Sequence, residues 1–168
     1  GTGTVSITDD ADADTNLTTI ATTGINFGTD NTIAIASAKT LTLDADQAAT
    51  ATSGITGAGN VSVEDDAATA NSSMLITATG TVTVDAGTGD DTIDLGAAEN
   101  VTTDDTIDGG GGTDELQITA DDGTTGAVLD DLVDIDTITV EAGSTATNNA
   151  KVTLTFTSAD TTAMTITA

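Results

Sequence analysis

The sequence contains no cysteine, histidine, tryptophan, tyrosine or proline, and its 168 residues include only two basic side chains, Lys39 and Lys151. Each absence removes a class of function. Without Cys there is no disulfide framework and no thiolate centre; without His there is no imidazole ligand and no Ser-His-Asp or Cys-His nucleophile system. Any metal must be held by oxygen, and oxygen ligands select hard ions such as calcium, Ca2+. Two cationic groups cannot neutralise a phosphate backbone or an anionic lipid surface, so neither nucleic acid nor a membrane is expected as a partner. Carboxylate pairs that cleave sugars normally work beside aromatic platforms, and the aromatic content here is two phenylalanines, so we expect no catalysis. No secretory leader or run of membrane-spanning length is visible. The chain opens on Gly1, which suits a processed product or an excerpt of a longer protein.

What the sequence has in excess is acid. Twenty-eight Asp and Glu residues give a formal net charge of −26. A fold with this charge repels itself unless the charge is spread over an elongated shape, screened by salt, or neutralised by bound cations. A Cys-free, Thr-rich, acidic chain fits an exported protein that stays unfolded where calcium is scarce, so the expected location is extracellular. The length allows one domain or two small ones.

Short alternating segments bounded by Gly, Asn and Asp run through the chain. They include TVSIT (4–8), TIAIA (32–36), TLTLD (40–44), VSVED (61–65), MLITA (74–78), TVTVD (81–85), TIDL (92–95), ELQIT (115–119), TITVE (137–141), KVTLTF (151–156) and MTIT (164–167). A period of two in β-branched and aliphatic residues predicts strands. Helical spacing is nearly absent; Ala127 to Asp136 is the one stretch compatible with one or two helical turns. Residues 1–16 realign with 57–72, an offset of 57 minus 1, or 56, and DDTID occurs at Asp90–Asp94 and again at Asp104–Asp108. Many short strands, small residues and repeated turns predict an all-β solenoid, each coil stacked on its neighbour, with a thin ladder of Val, Ile and Leu as its core. A sandwich of the immunoglobulin kind relies on bulkier core residues.

The glycines gather at one place. Gly109–Gln117 reads GGGGTDELQ, which fits the calcium-binding nonapeptide G-G-x-G-x-D-x-U-x at Gly109, Gly110, Gly112, Asp114 and Leu116. Ala86–Asp94 fits with Ala86 in the first glycine position and keeps Gly87, Gly89, Asp91 and Ile93. Asn100–Asp108 lies in phase, without the glycines, and keeps Asp105 and Ile107. On these residues the chain resembles the RTX family of secreted calcium-binding proteins. The resemblance implies a parallel β-roll whose stacked turns hold calcium through Asp side chains and glycine-turn carbonyls. It implies that the turn Gly87–Gly89–Asp91 stacks on Gly110–Gly112–Asp114, 110 minus 87 or 23 residues on, with Asp91 and Asp114 sharing an ion. That spacing is two nonapeptides plus a five-residue insertion, Leu95–Glu99. On the opposite side Asp105 would face Asp121 or Asp122.

Further along, GGTDELQITA (111–120) followed by LDDLVDIDTITVEAG (129–143) resembles a segment of RTX-type bacterial surface-layer proteins. This implies copies of the chain joined by calcium into a lattice or filament. The expected organisation is a β-rich repeat region over 1–85, then an RTX-like calcium-binding roll running into a surface-layer-like segment over 86–168. The alternatives are an adhesin stalk repeat or an ice-binding solenoid, the latter suggested by Thr-X-Thr stretches. Asp9, Asp10, Asp65 and Asp66 read as solvated turn carboxylates or as further ligands. Lys39 and Lys151 read as surface charges or subunit contacts, and Asn16, Asn60, Asn71 and Asn100 head sequons that a Thr-rich chain produces by chance.

Overall fold

The fold is seen in a computed structural model that describes residues 4–7, 15–16, 32–64, 72–97, 101–120, 128–129, 131–142, 155–156 and 165–167. In chain order the elements are β1 (Thr4–Ile7), β2 (Thr15–Asn16), β3 (Thr32–Ile35), β4 (Thr40–Asp44), α1 (Ala45–Ala49), β5 (Ile55–Gly57), β6 (Asn60–Glu64), β7 (Ser73–Ala78) and β8 (Val82–Asp85). They continue with β9 (Thr92–Ala97), β10 (Thr106–Asp108), β11 (Glu115–Ala120), β12 (Val128–Leu129), β13 (Leu132–Val133), β14 (Thr137–Ala142), β15 (Thr155–Phe156) and β16 (Thr165–Thr167).

The strands form a parallel β-solenoid. One sheet has the order β1-β3-β5-β7-β9-β11-β14-β16 and the other β13-β10-β8-β6-β4-β2, so the chain crosses from one sheet to the other at nearly every turn and climbs one coil with each pair of strands. A small parallel pair, β12 with β15, stands apart. Because side chains alternate along each strand, every second residue points between the sheets. Parallel register then stacks like on like. Met74, Ile93, Leu116 and Ile138 form one inward row, and Leu43, Val63, Val84, Ile107 and Leu132 form its counterpart on the facing sheet. Nearly all of these side chains are sealed from solvent, and each contributes about 1.5–3 kcal/mol by leaving water.

The fold class read from the alternation is the observed one, with three differences. Residues 128–129 and 132–133 are strands, so the helical turns expected within 127–136 do not form; Leu132 pairs with Ile107 and the edge of a sheet outweighs the local Leu spacing. A helix sits instead at α1, where Asp44 and Gln47 make a capping box: Gln47 N donates to Asp44 Oδ1 at 2.6 Å and Asp44 N donates to Gln47 Oε1 at 3.1 Å. The 56-residue repeat is not a repeat of the architecture either, because β1 lies in the eight-stranded sheet and β6, its sequence counterpart, in the six-stranded one. The structural period is one coil, 21 residues between Thr81 and Asn60 and 23 between Asp114 and Asp91. The insertion at Leu95–Glu99 is taken up partly by a register shift between β9 and β11 beside Gly96, whose φ is 66°. No helix among the described residues is long and apolar enough to cross a membrane.

Candidate functional site

Turns that lead from the six-stranded to the eight-stranded sheet share one flank of the solenoid. On this flank the turn 86–91 lies directly under the turn 109–114. Gly111 N donates to Gly87 O and Gly89 N donates to Gly111 O, both at 2.8 Å, and Thr88 pairs with Gly111 as a parallel bridge. The contact leaves no room for side chains. A methyl on Gly110 would fall 1.8 Å from Gly87 O and one on Gly112 1.6 Å from Gly89 O, and both residues have positive φ, 82° and 150°. The glycines of the motif thus bring two backbones together.

The strands β9, β11 and β14, which follow such turns, are each preceded by an Asp, and these carboxylates climb the flank as a ladder. Asp91 Oδ1 accepts from Ser72 N at 2.7 Å, Asp114 Oδ1 from Asp91 N at 2.8 Å, and Asp136 Oδ2 from Asp114 N at 2.9 Å. Every rung caps the amide one coil below it. Asp91 and Asp114 are each 1% exposed. Oδ2 of Asp114 is buried and accepts no hydrogen bond.

A buried carboxylate with one oxygen capped and the other lacking a donor carries a large desolvation cost that a proton or a cation must offset. Burial pushes the Asp114 carboxyl up to about 6, against the lowering effect of the Asp91 amide, and the carboxylates of Asp91, Asp136 and Asp90 add to the rise. Asp90 also reaches across the turns, accepting from Thr113 N at 2.9 Å.

On the opposite flank Asp105 repeats the device. Its Oδ1 accepts from Val82 N at 2.7 Å and its Oδ2 from Thr102 N at 2.8 Å. Burial raises its carboxyl while these amides counter the rise. The two DDTID copies are therefore half a coil apart, one serving each flank. Asp121 and Asp122, the expected partners of Asp105, lie outside the described residues, as do Asp9, Asp10, Asp65, Asp66 and Lys151.

The structure brings together Gly87, Gly89, Asp91, Gly110, Gly112 and Asp114 and sets Asp105 apart on the other flank. Sequence reasoning missed Asp136. Its signal was present in DTIT, an Asp directly before a strand, as in the DTID and DELQ segments. Among the described residues no three acidic side chains converge into a ready-made cation cluster, so an ion on this flank would depend on pairs of carboxylates together with main-chain oxygens. That donor set, oxygen only, suits a hard divalent ion and no other metal class. Compared with known protein families, curated proteins and solved structures, the chain has no match.

Proposed function

We propose that the chain is a secreted, calcium-binding structural protein, a subunit or part of a self-assembling bacterial surface layer or extracellular filament whose partners are copies of itself. The observation that carries the reading is the buried Asp114 carboxylate, with an oxygen lacking a donor, between two glycine turns held at backbone contact. Asp91 and Asp114 would hold the ion, with turn carbonyls completing its shell. Calcium would offset the cost of the buried charge that raises the Asp114 carboxyl to about 6, and would offset repulsion in a chain of net charge −26.

The mechanism is linkage: an ion that binds the stacked turns and not the dispersed chain stabilises the fold by about 2.7 kcal/mol at a hundredfold excess over Kd. Calcium would equally reduce repulsion between neighbouring subunits. Calorimetric titration with calcium, melting in calcium against chelator, and sedimentation with electron microscopy test it. We expect heat of binding, a higher Tm and polymers with calcium. An unchanged Tm and no heat would reject the reading; binding and stiffening of a chain that stays monomeric would favour an adhesin stalk.

One observation favours a second reading. Thr42, Ser62, Thr83 and Thr106, irregularly spaced in sequence, stand in one register row on the outer face of the six-stranded sheet. A regular hydroxyl row on a flat sheet is a surface that ice could template. Thermal hysteresis of the purified chain would establish that reading, and its absence would dismiss it.

A further inference from the structure

We infer that the bond between Asp108 and Gly109 is a site of spontaneous backbone modification, to succinimide and then isoaspartate, which the coil of β13 and β14 holds closed and which opens when that coil lifts. This goes beyond the calcium reading and does not depend on it.

The chain contains two Asp-Gly pairs, Asp108–Gly109 and Asp122–Gly123, and the second lies outside the described residues. In such a pair the glycine nitrogen attacks Cγ of the aspartic acid. The N–Cγ bond forms, the bond from Cγ to the hydroxyl breaks, and the amide proton leaves with that hydroxyl as water. Water then adds to a ring carbonyl, and addition at the main-chain carbonyl leaves the chain running through the side chain as isoaspartate. Glycine hinders the attack least because it has no Cβ.

Packing asks for both residues. A methyl on Gly109 would fall 2.5 Å from Asp134 O and 2.7 Å from Asp114 Cβ, so the last coil can seat only on glycine there. Asp108 Oδ1 accepts from Gly110 N at 2.9 Å, which satisfies an amide in a turn with φ 82° and folds the carboxyl back over the Gly109 peptide. The reacting groups are thus neighbours at rest. Strand pairing keeps them from reacting: Asp108 is the last residue of β10, in register between Asp85 and Val133, and the buried Gly109 amide donates to Val133 O at 3.0 Å. Attack on Cγ requires that amide to be released, and release requires the 131–136 turn to lift, an opening local to one coil. Asp108 is only half-buried, so water reaches it.

The product does not fit the stack. Isoaspartate adds a main-chain carbon just ahead of Gly110 and Gly112, where a single methyl would already lie 1.8 Å from Gly87 O and 1.6 Å from Gly89 O. Modification therefore turns a passing lift of the last coil into permanent loss of the contact between the turns 86–91 and 109–114.

The test ages the intact chain at neutral pH, folded and in urea, and locates isoaspartate by isoaspartyl methyltransferase labelling with electron-transfer fragmentation. In urea Asp108 and Asp122 should isomerise at similar rates. Folding should slow Asp108 by at least about tenfold. Across temperatures below the melting transition, its rate relative to that in urea should rise in proportion to hydrogen exchange at the Gly109 amide. Asp136→Ala removes the carboxylate that holds the Asp114 amide from the coil above, and it should speed isomerisation and exchange together.

Isomerisation of Asp108 in the folded chain as fast as in urea, or at a rate unrelated to exchange at Gly109, would overturn the inference, as would no isoaspartate at this position in urea. Should Asp136→Ala fail to fold, the temperature series of the unaltered chain decides. Isomerised chain, separated by ion exchange, should also exchange the Gly89 and Gly111 amides faster, and equal protection would overturn the expected loss of the stack. No arm contains calcium, so failure here leaves the proposed function standing.

Discussion

The coils before and after β7 close the same corner in two ways. In the coil of β4 and β5 the passage from the six-stranded to the eight-stranded sheet is made by α1, whose first amides are satisfied locally: Asp44 and Gln47 cap each other, and Ala45, Gln47 and Ala48 bury against the core. In the later coils the passage is made by glycine turns and short Asp turns whose amides are satisfied by the next coil up, through Asp91, Asp114 and Asp136. The first solution is self-contained, its buried Asp44 carboxylate taking the Gln47 amide within the same coil. The second is shared between coils and buries carboxylate. Self-repulsion is therefore concentrated where coils meet in the later half, and that is where a cation or a proton has leverage on the fold.

The largest expected effect that separates the halves is steric. Gly112→Ala drives a methyl into Gly89 O and puts Ala at a φ of 150°, which should cost about 3 kcal/mol or more. Hydrogen exchange should speed up over 82–116 and stay unchanged over 40–64. Uniform loss of protection would mean that the halves unfold as one unit, and the contrast would fall.

Next comes pH in the presence of chelator. Asp114 has its carboxyl raised from 3.8 to about 6, so the folded chain holds this proton more tightly than the unfolded chain does. The contribution is present below about pH 4 and is lost as pH rises through 6, a change on the order of 2–3 kcal/mol. Chemical denaturation between pH 4 and 7 should show the decline. Asp114→Asn should flatten it, and saturating calcium should remove it from the unaltered chain by taking the proton's place. A decline of the same size in the Asn variant would assign it to general charge repulsion instead.

These contrasts also mark what could be read from the residues alone. TVTVD, TIDL and ELQIT announce strands because inward and outward positions alternate and burial follows that alternation, as it does in TLTLD as far as Leu43. GGGGTD announces a turn, and at Gly110 and Gly112 the missing side chains let the backbone of Gly87 and Gly89 come close. The sheet to which each strand belongs was not legible. That depends on corner length, which among the described residues varies from two residues after β5 to a ten-residue passage containing α1, so similar sequences such as β1 and β6 came to rest in different sheets. Asp136 escaped notice because its turn lacks glycine, and the role of its carboxylate appears only when coils are stacked. The α1 capping pair, Asp44 and Gln47, was hidden by a strand pattern that runs up to Asp44 itself.

The smallest effect completes the comparison. Asp44→Ala removes the helix cap and should cost about 1 kcal/mol, equally in calcium and in chelator, since the interaction is confined to one coil. Denaturation curves in the two buffers check this. A cost that depends on calcium would tie the earlier half to the ion and erase the distinction drawn between the corners.

The central claim is that an ion closes the stack of later turns. Residue-resolved hydrogen exchange of the intact chain, in saturating calcium and in chelator at neutral pH, tests it most directly. The account predicts slower exchange in calcium for the amides of Asp91, Gly111, Asp114 and Glu115, with those of Leu41 to Leu43 and Val61 to Val63 unaltered. Identical exchange in both conditions across the Gly87 to Asp114 turns would contradict it.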